Sequence, residues 1–239
     1  MSKKAKQAED GVVYNIKANI KALAFDNYGT LFDKSAVAKV IDEDLPGHGE
    51  ELAKVWFITT KKYCWLSGLM ERYLLWEEVI ERSLTFAAKS LSLNVTDELF
   101  EKLIQFDMTL PPHPEVPAAL ERLASKLPLY NLNMASPRMV EACLKNAGVD
   151  HLFKKVICAE PYQIYKPSYK AYDIGVMEIG LPKEQIGFVS SNSFDVIGAA
   201  NYGYPVFWMN RKGAPLDELG PQPVWTGKSL DELASVLGT

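Results

Sequence analysis

Apolar residues along this chain follow two different spacings. Residues 20–25, IKALAF, form one short continuous apolar run, which reads as a buried strand ended by turn chemistry at Gly29. From about Lys34 the spacing lengthens to three and four residues. The stretch GEELAKVWFITTKKYCWLSGLMERYLLWEEVIERSLTFAAKSL keeps that spacing with no proline and few glycines, and predicts helix. VTDELFEKLIQF predicts a further helix, with Thr96 or Asp97 as its N-cap. The proline-rich PPHPEVP at 111–117 closes this helical block.

Beyond it the two spacings alternate. VPAALERLASKL predicts helix, LPLYNLNMAS a strand ending at Ser136-Pro137, and RMVEACLKNAG a helix stopped at Gly148. YKAYDIGVMEIG, QIGFVSS, DVIGAANYG and YPVFWMN continue as helix, strand, helix, strand. Strands separated by helices predict an α/β fold with a doubly wound parallel sheet, whose ligands gather at the strand C-termini. One core carrying a helical insert is the economical organisation. The expected core is 1–33 and 112–239, and the expected insert is 34–111.

Composition narrows the function classes. With 48% hydrophobic and 23% charged residues in 239, the chain is an ordinary globular protein large enough for one core and one insert. A net charge of -4 offers no electrostatic case for nucleic acid or an anionic membrane. The charged start MSKKAKQAED is expected to fray, with no apolar run after it to act as a signal or a span. Cys64, Cys143 and Cys158 have no metal spacing and read as reduced structural thiols, as in a cytoplasmic protein. His48, His113 and His151 show no ligand spacing and receive no role.

The candidate chemistry lies at the predicted strand ends. Asp26 follows the first strand. An aspartate there is often only a turn or cap residue. The convergence is what changes the reading: Lys166 of YKPSY, Ser190 and Asn192 of SSNSFD, and Asp195 all fall at the same expected sheet edge. Two carboxylates and a lysine can serve as nucleophile, counter-cation and base.

AFDNYGTLFD, YKPSYKAY and FVSSNSFD resemble the haloacid dehalogenase superfamily, and more narrowly its L-2-haloacid dehalogenase branch. The resemblance runs through LPGHGEELAKVW, YCWLSGLMERY and NRKGAPLDELG, so it covers nearly the whole chain. It implies a Rossmann-like core with an inserted helical cap, and a metal-independent hydrolase without cofactor. Asp26 would be the nucleophile, with Thr30, Lys166, Tyr172, Ser190, Asn192 and Asp195 around it. The carboxylate attacks a substrate carbon to form an ester, and water then hydrolyses the ester. Lys166 would favour the charged form of Asp26, and Asp195 would take the proton from water. Magnesium phosphatases of the superfamily carry an acid where this chain has Tyr28 and a metal-holding carboxylate where it has Ser191, so neither phosphatase chemistry nor a metal is expected. Tyr28, Trp76 and Phe194 are candidate apolar walls, although core packing is the commoner reason for a buried aromatic. The apolar face CWLSGLMERYLLW offers enough surface for a homodimer contact.

The chain departs from that branch at the halide site. The expected arginine is replaced by Phe57, the asparagine by Met134, and the serine that helps hold the substrate carboxylate by Asn133. Losing one donor aimed at developing charge typically costs about 10²–10³ in rate. Three expectations follow. The first, and the favoured one, is C–N ring opening of L-azetidine-2-carboxylate to 2-hydroxy-4-aminobutyrate, with Phe57 offering an aromatic face to the amine. The second is an (S)-2-haloacid dehalogenase that stabilises halide with other groups. The third is a catalytically silent binding protein. In the first two, backbone amides around Asn133 and Met134 would hold the carboxylate, together with the Asn133 side chain.

Overall fold

The computed structural model describes residues 19–239. The charged start and the rest of residues 1–18 lie outside the described residues. Within them a single sheet contains six parallel strands: β1 (Ala22–Phe25), β2 (Leu129–Asn133), β3 (Phe153–Cys158), β4 (Ile186–Ser190), β5 (Val206–Met209) and β6 (Trp225–Gly227). Their order is β3-β2-β1-β4-β5-β6. The chain therefore builds outward from β1 in one direction, returns, and builds outward in the other. The order reverses between β1 and β4, the crevice where doubly wound sheets bind their ligands.

Both faces of the sheet are covered, which is why its strands read as continuous apolar runs. Leu23, Phe25 and Leu129 pack on one face against Val116–Ala124 (α5), Pro137–Asn146 (α6) and Leu230–Leu237 (α9). Ala24, Leu132 and Phe188 pack on the other against Tyr169–Ile179 (α7) and Ser193–Tyr202 (α8). The edge strand β3 was not anticipated. Its Lys154 and Lys155 are exposed, and charges of this kind suit a sheet edge while breaking the apolar signal.

Four helices stand between β1 and the helix that leads into β2: Val37–Asp44 (α1), Gly49–Leu69 (α2), Trp76–Ser90 (α3) and Asp97–Asp107 (α4). The periodic run from Gly49 is broken into two helices without proline, just past Gly68 in the last turn of the first. Glu71 takes the left-handed conformation at φ 53°, and the chain folds back on itself. Trp56 fixes the resulting pair, donating its indole N–H to the Ile80 carbonyl at 2.9 Å, while the Thr60 and Ser83 hydroxyls meet at 2.8 Å. Thr96 is the N-cap of α4, accepting from the Leu99 N–H. Cys64, Cys143 and Cys158 are free and buried. Among the described residues no helix is long and apolar enough to cross a membrane.

Candidate active site

Asp26 leaves β1 with its backbone N–H still bonded to the Val189 carbonyl of β4 at 2.9 Å, so its position is set by the sheet itself. The chain then turns sharply. The Asn27 carbonyl accepts from the N–H groups of Thr30, Leu31 and Phe32, and Gly29 sits at φ 83°, a conformation that suits glycine. A Cβ at position 29 would lie 3.3 Å from the Ser191 hydroxyl, which adds a steric reason for glycine. The turn brings Thr30 back to face the aspartate. Its hydroxyl donates to Asp26 Oδ2 at 2.9 Å and accepts from the Ser191 N–H at 2.8 Å, tying the loops after β1 and β4 together. Asn192 donates through Nδ2 to Asp26 Oδ2 at 2.9 Å and to the Tyr28 carbonyl at 3.0 Å.

Behind the aspartate lies a buried ionic network. Lys166, only 1% exposed, donates to the Leu132 carbonyl at 2.7 Å, to Asp195 Oδ2 at 3.1 Å and to Asp26 Oδ1 at 3.4 Å. A buried ammonium with fewer partners would be costly; three oxygens satisfy it. Asp195 is wholly buried, and its second oxygen accepts from the Tyr172 hydroxyl at 2.8 Å. Burial pushes the Asp195 carboxyl up to about 6 against the pull of Lys166, and the nearby Asp26 charge adds to the rise. One oxygen of Asp26 is thus held by two neutral donors and the other by a cation.

A cavity of about 190 Å³ opens over Asp26. Its apolar walls are Tyr28, Phe57, Trp76, Met134 and Phe194, with Asn133 and Asn192 at the polar end. The residues expected to touch substrate are therefore brought together, except Tyr172. That tyrosine lies under the sheet edge, fully buried, with its hydroxyl spent on Asp195. Ser190 is likewise fully buried rather than facing the cavity, and its hydroxyl accepts from the Asn192 N–H at 3.2 Å. The Asn133 side-chain amide donates to Asn131, whose own amide reaches Asn27 at 3.4 Å, so one of its two N–H groups is already spent. The N–H groups of Met134 and Ala135, just before α6, have no acceptor among the described residues.

The cavity wall also holds two cations that the sequence motifs do not mark, Lys34 and Lys61. Lys34 Nζ lies 4.1 Å from the centroid of the Phe57 ring and 3.9 Å from Asp107 Oδ1. Asp107 is buried and its other oxygen has no partner; burial raises its pKa. Lys61 stands over the Phe194 ring at 5.8 Å. Burial and the neighbouring Lys34 charge lower the Lys61 pKa, with Asp217 opposing. A signal existed for Lys61: it is four residues after Phe57 on α2, so one turn along the same helix face.

The donors around Asp26 do not fit a magnesium ion. Tyr28 and Ser191 offer no second carboxylate, and Lys166 occupies the Asp26 Oδ1 side with its own charge.

A doubly wound sheet presenting a held carboxylate at its switch point, beside a buried lysine and a helical segment, is an arrangement suited to a hydrolase. The comparisons with known proteins agree. Residues 20–203 match the family model described as haloacid dehalogenase-like hydrolase. The chain is 36% identical over 220 residues to an (S)-2-haloacid dehalogenase of Pseudomonas fluorescens, covering 92% of this chain and 97% of that protein. It is similar to the solved L-2-haloacid dehalogenase RSc1362, with TM-score 0.90, 32% identity, and 92% and 100% of the two chains covered. It is also similar to the L-2-haloacid dehalogenase of Xanthobacter autotrophicus solved with chloropropionic acid covalently bound, with TM-score 0.85, 29% identity, and 91% and 98% covered. This chain belongs to the haloacid dehalogenase-like hydrolase family.

Proposed function

We propose that this chain is an (S)-2-haloacid dehalogenase, hydrolysing a small 2-haloacid to the 2-hydroxy acid. The observation that carries the reading is the placement of Asp26, the sole carboxylate on the cavity wall among the described residues, with one free approach from the cavity side. A volume near 190 Å³ is small beside the roughly 300–1,000 Å³ of drug-sized sites and suits an acid of a few carbons.

The substrate carboxylate docks at the N–H groups of Met134 and Ala135 at the start of α6, where a helix N-terminus favours an anion. Tyr28, Trp76 and Met134 exclude water around C2. An Asp26 oxygen attacks C2, a C–O bond forms, and the halide departs with the C–halogen electron pair. Asn192 and Thr30 hold the aspartate in the attacking orientation. Water then adds to the carboxyl carbon of the ester. Asp195 takes its proton from the sheet side, since it does not reach the cavity wall. Collapse returns that proton to the departing alkoxide oxygen, expels the hydroxy acid, releases the second water proton to solvent and leaves one water oxygen in Asp26. The lysine between the two carboxylates offsets the negative charge that builds at each step.

Ring opening of L-azetidine-2-carboxylate, the first expectation from Phe57 and Met134, is the weaker reading. The Phe57 face that would receive an ammonium already carries the Lys34 ammonium, and Lys61 adds a second positive charge to the same cavity. Like charges oppose a cationic leaving group. The relatives, all of them haloacid or haloacetate dehalogenases among those most similar, support halide release.

The test is to incubate the purified protein with (S)-2-chloropropionate and, separately, with L-azetidine-2-carboxylate, measuring free chloride and amino alcohol. Chloride with no amino alcohol is expected. Amino alcohol without chloride would reverse the order of the two readings, and neither product would favour a silent binding protein.

A further inference from the structure

We propose that Lys61, seconded by Lys34, receives the departing halide in place of the arginine absent at position 57. The inference rests on the dehalogenase reading and names the groups that make it workable in this cavity.

Phe57 and Met134 supply no strong donor, yet a halide leaving into a dry pocket needs one. The cavity wall holds two lysines: Lys34 over the face of the Phe57 ring, and Lys61, one helical turn along α2 from Phe57, over the Phe194 ring. They are not equivalent. Lys34 has the Asp107 carboxylate behind it at 3.9 Å, so part of its charge is already answered. Lys61 rests against the Phe194 ring, with no carboxylate in ion-pair contact among the described residues. Desolvation and the Lys34 charge both press on the Lys61 ammonium. An anion arriving between the two lysines relieves both effects. A flexible lysine reaching from position 61 thus delivers to the cavity the charge that an arginine would deliver from position 57.

The chemistry also fixes which kinetic constant responds. A group that meets the halide only as the carbon–halogen bond breaks lowers the barrier to ester formation, so its loss appears in that rate and not in substrate affinity. A group that binds the substrate carboxylate does the reverse.

The experiment is single-turnover chloride release from (S)-2-chloropropionate by the native protein and by Lys61→Met, Lys61→Arg and Lys62→Met. Circular dichroism and thermal melting would establish that each variant is folded. Lys61→Met should slow the chloride burst about 10²-fold with KM little changed. The loss should be smaller for the 2-bromo substrate, whose leaving group needs less stabilisation. Lys61→Arg should keep most of the native rate, and Lys62→Met, an exposed neighbour, should match it. Introducing Phe57→Arg into the Lys61→Met protein should recover part of the rate, even if Lys61→Met itself is less stable. Native chloride release with an undiminished Lys61→Met burst overturns the inference and leaves the dehalogenase reading standing. So does a rise in KM alone, which would assign Lys61 to the carboxylate. Absence of chloride release from the native protein overturns the reading itself.

Discussion

Replacing Lys166 with methionine tests whether the ionic network under Asp26 is held together by charge. The native ammonium is 1% exposed and lies 3.1 Å from Asp195 and 3.4 Å from Asp26. Methionine fills similar volume with no charge, so the main loss is electrostatic. Breaking a buried pair from one side leaves its partner uncompensated and typically costs about 3–5 kcal/mol. Asp195 bears most of that cost, because Asp26 keeps Thr30, Asn192 and the cavity opening while Asp195 keeps only the Tyr172 hydroxyl. The pH dependence follows. Asp195 already has its folded pKa raised to about 6, above that of an unfolded carboxylate, so burial penalises its ionised form. Without the lysine it rises further. The penalty is absent where the carboxyl is protonated in both states, below the usual carboxylate range, and grows as pH climbs through 6. Urea unfolding of the native and variant proteins at pH 5 and pH 8 should therefore show a larger difference at pH 8. The double variant Lys166→Met with Asp195→Asn removes both charges and should recover most of the stability without recovering activity. A double variant no more stable than the single one, or a stability loss equal at the two pH values, would refute the argument.

Asp26→Asn should abolish turnover while leaving the fold intact, read by chloride release and circular dichroism together. A single turnover in heavy-oxygen water should place the label in Asp26, found by mass spectrometry of the peptide containing it; label in the first-turnover product instead would exclude an ester intermediate. Because displacement at C2 comes from the side opposite the halide, (S)-2-chloropropionate should give the hydroxy acid of inverted configuration, checked by chiral chromatography. Asp195 must be ionised to accept a proton, so the rate of ester hydrolysis should fall as pH drops through about 6, by about tenfold per unit on the acid side. A profile flat through that range would remove Asp195 from the role of base.

Much of this architecture was legible because buried parallel strands announce themselves. β1, β4 and β5 carry apolar runs and β2 carries one broken only by the buried Asn131, and each ends where a polar residue steps out of the core. β3 was missed because an edge strand is selected partly against looking like one, and Lys154 and Lys155 erase its signal. β6 is only three residues long, too short for any period to register. The break between α2 and α3 was hidden for a different reason. Nothing in Met70-Glu71-Arg72 forbids helix, and tertiary packing of Trp56 on the Ile80 turn favours the fold-back. Asp26, Asn192 and Thr30 could be placed in one site from motif alone. Tyr172 and Ser190 could also be brought near it, but whether a polar side chain faces the cavity or braces a neighbour from behind depends on which side of the sheet edge it leaves. One-dimensional spacing does not carry that.

The lysines expose a deeper limit of reading by position. Comparing residues one by one finds Phe57 where a cation was expected and concludes that the cation is gone. An electrostatic field is not tied to one address. What a departing halide meets is the sum of charges around a small, poorly hydrated volume, and an ammonium contributes to that sum from any neighbouring position whose side chain can reach. Lys61 lies one turn from Phe57 on the same face of α2, and Lys34 enters from the short 3-10 turn Lys34–Ala36 between β1 and α1. Charge absent at one position and present at two others around the same 190 Å³ is, on the reading proposed above, a relocation of the anion site and not its removal. The relocation also accounts for Phe57: with the cation held elsewhere, position 57 is free to supply an aromatic ring whose face steadies Lys34 at the cavity wall. A phenylalanine that looks like a missing catalytic residue in the sequence is, in the folded chain, the ring against which Lys34 rests, while Lys61, on the Phe194 ring, carries the proposed halide contact.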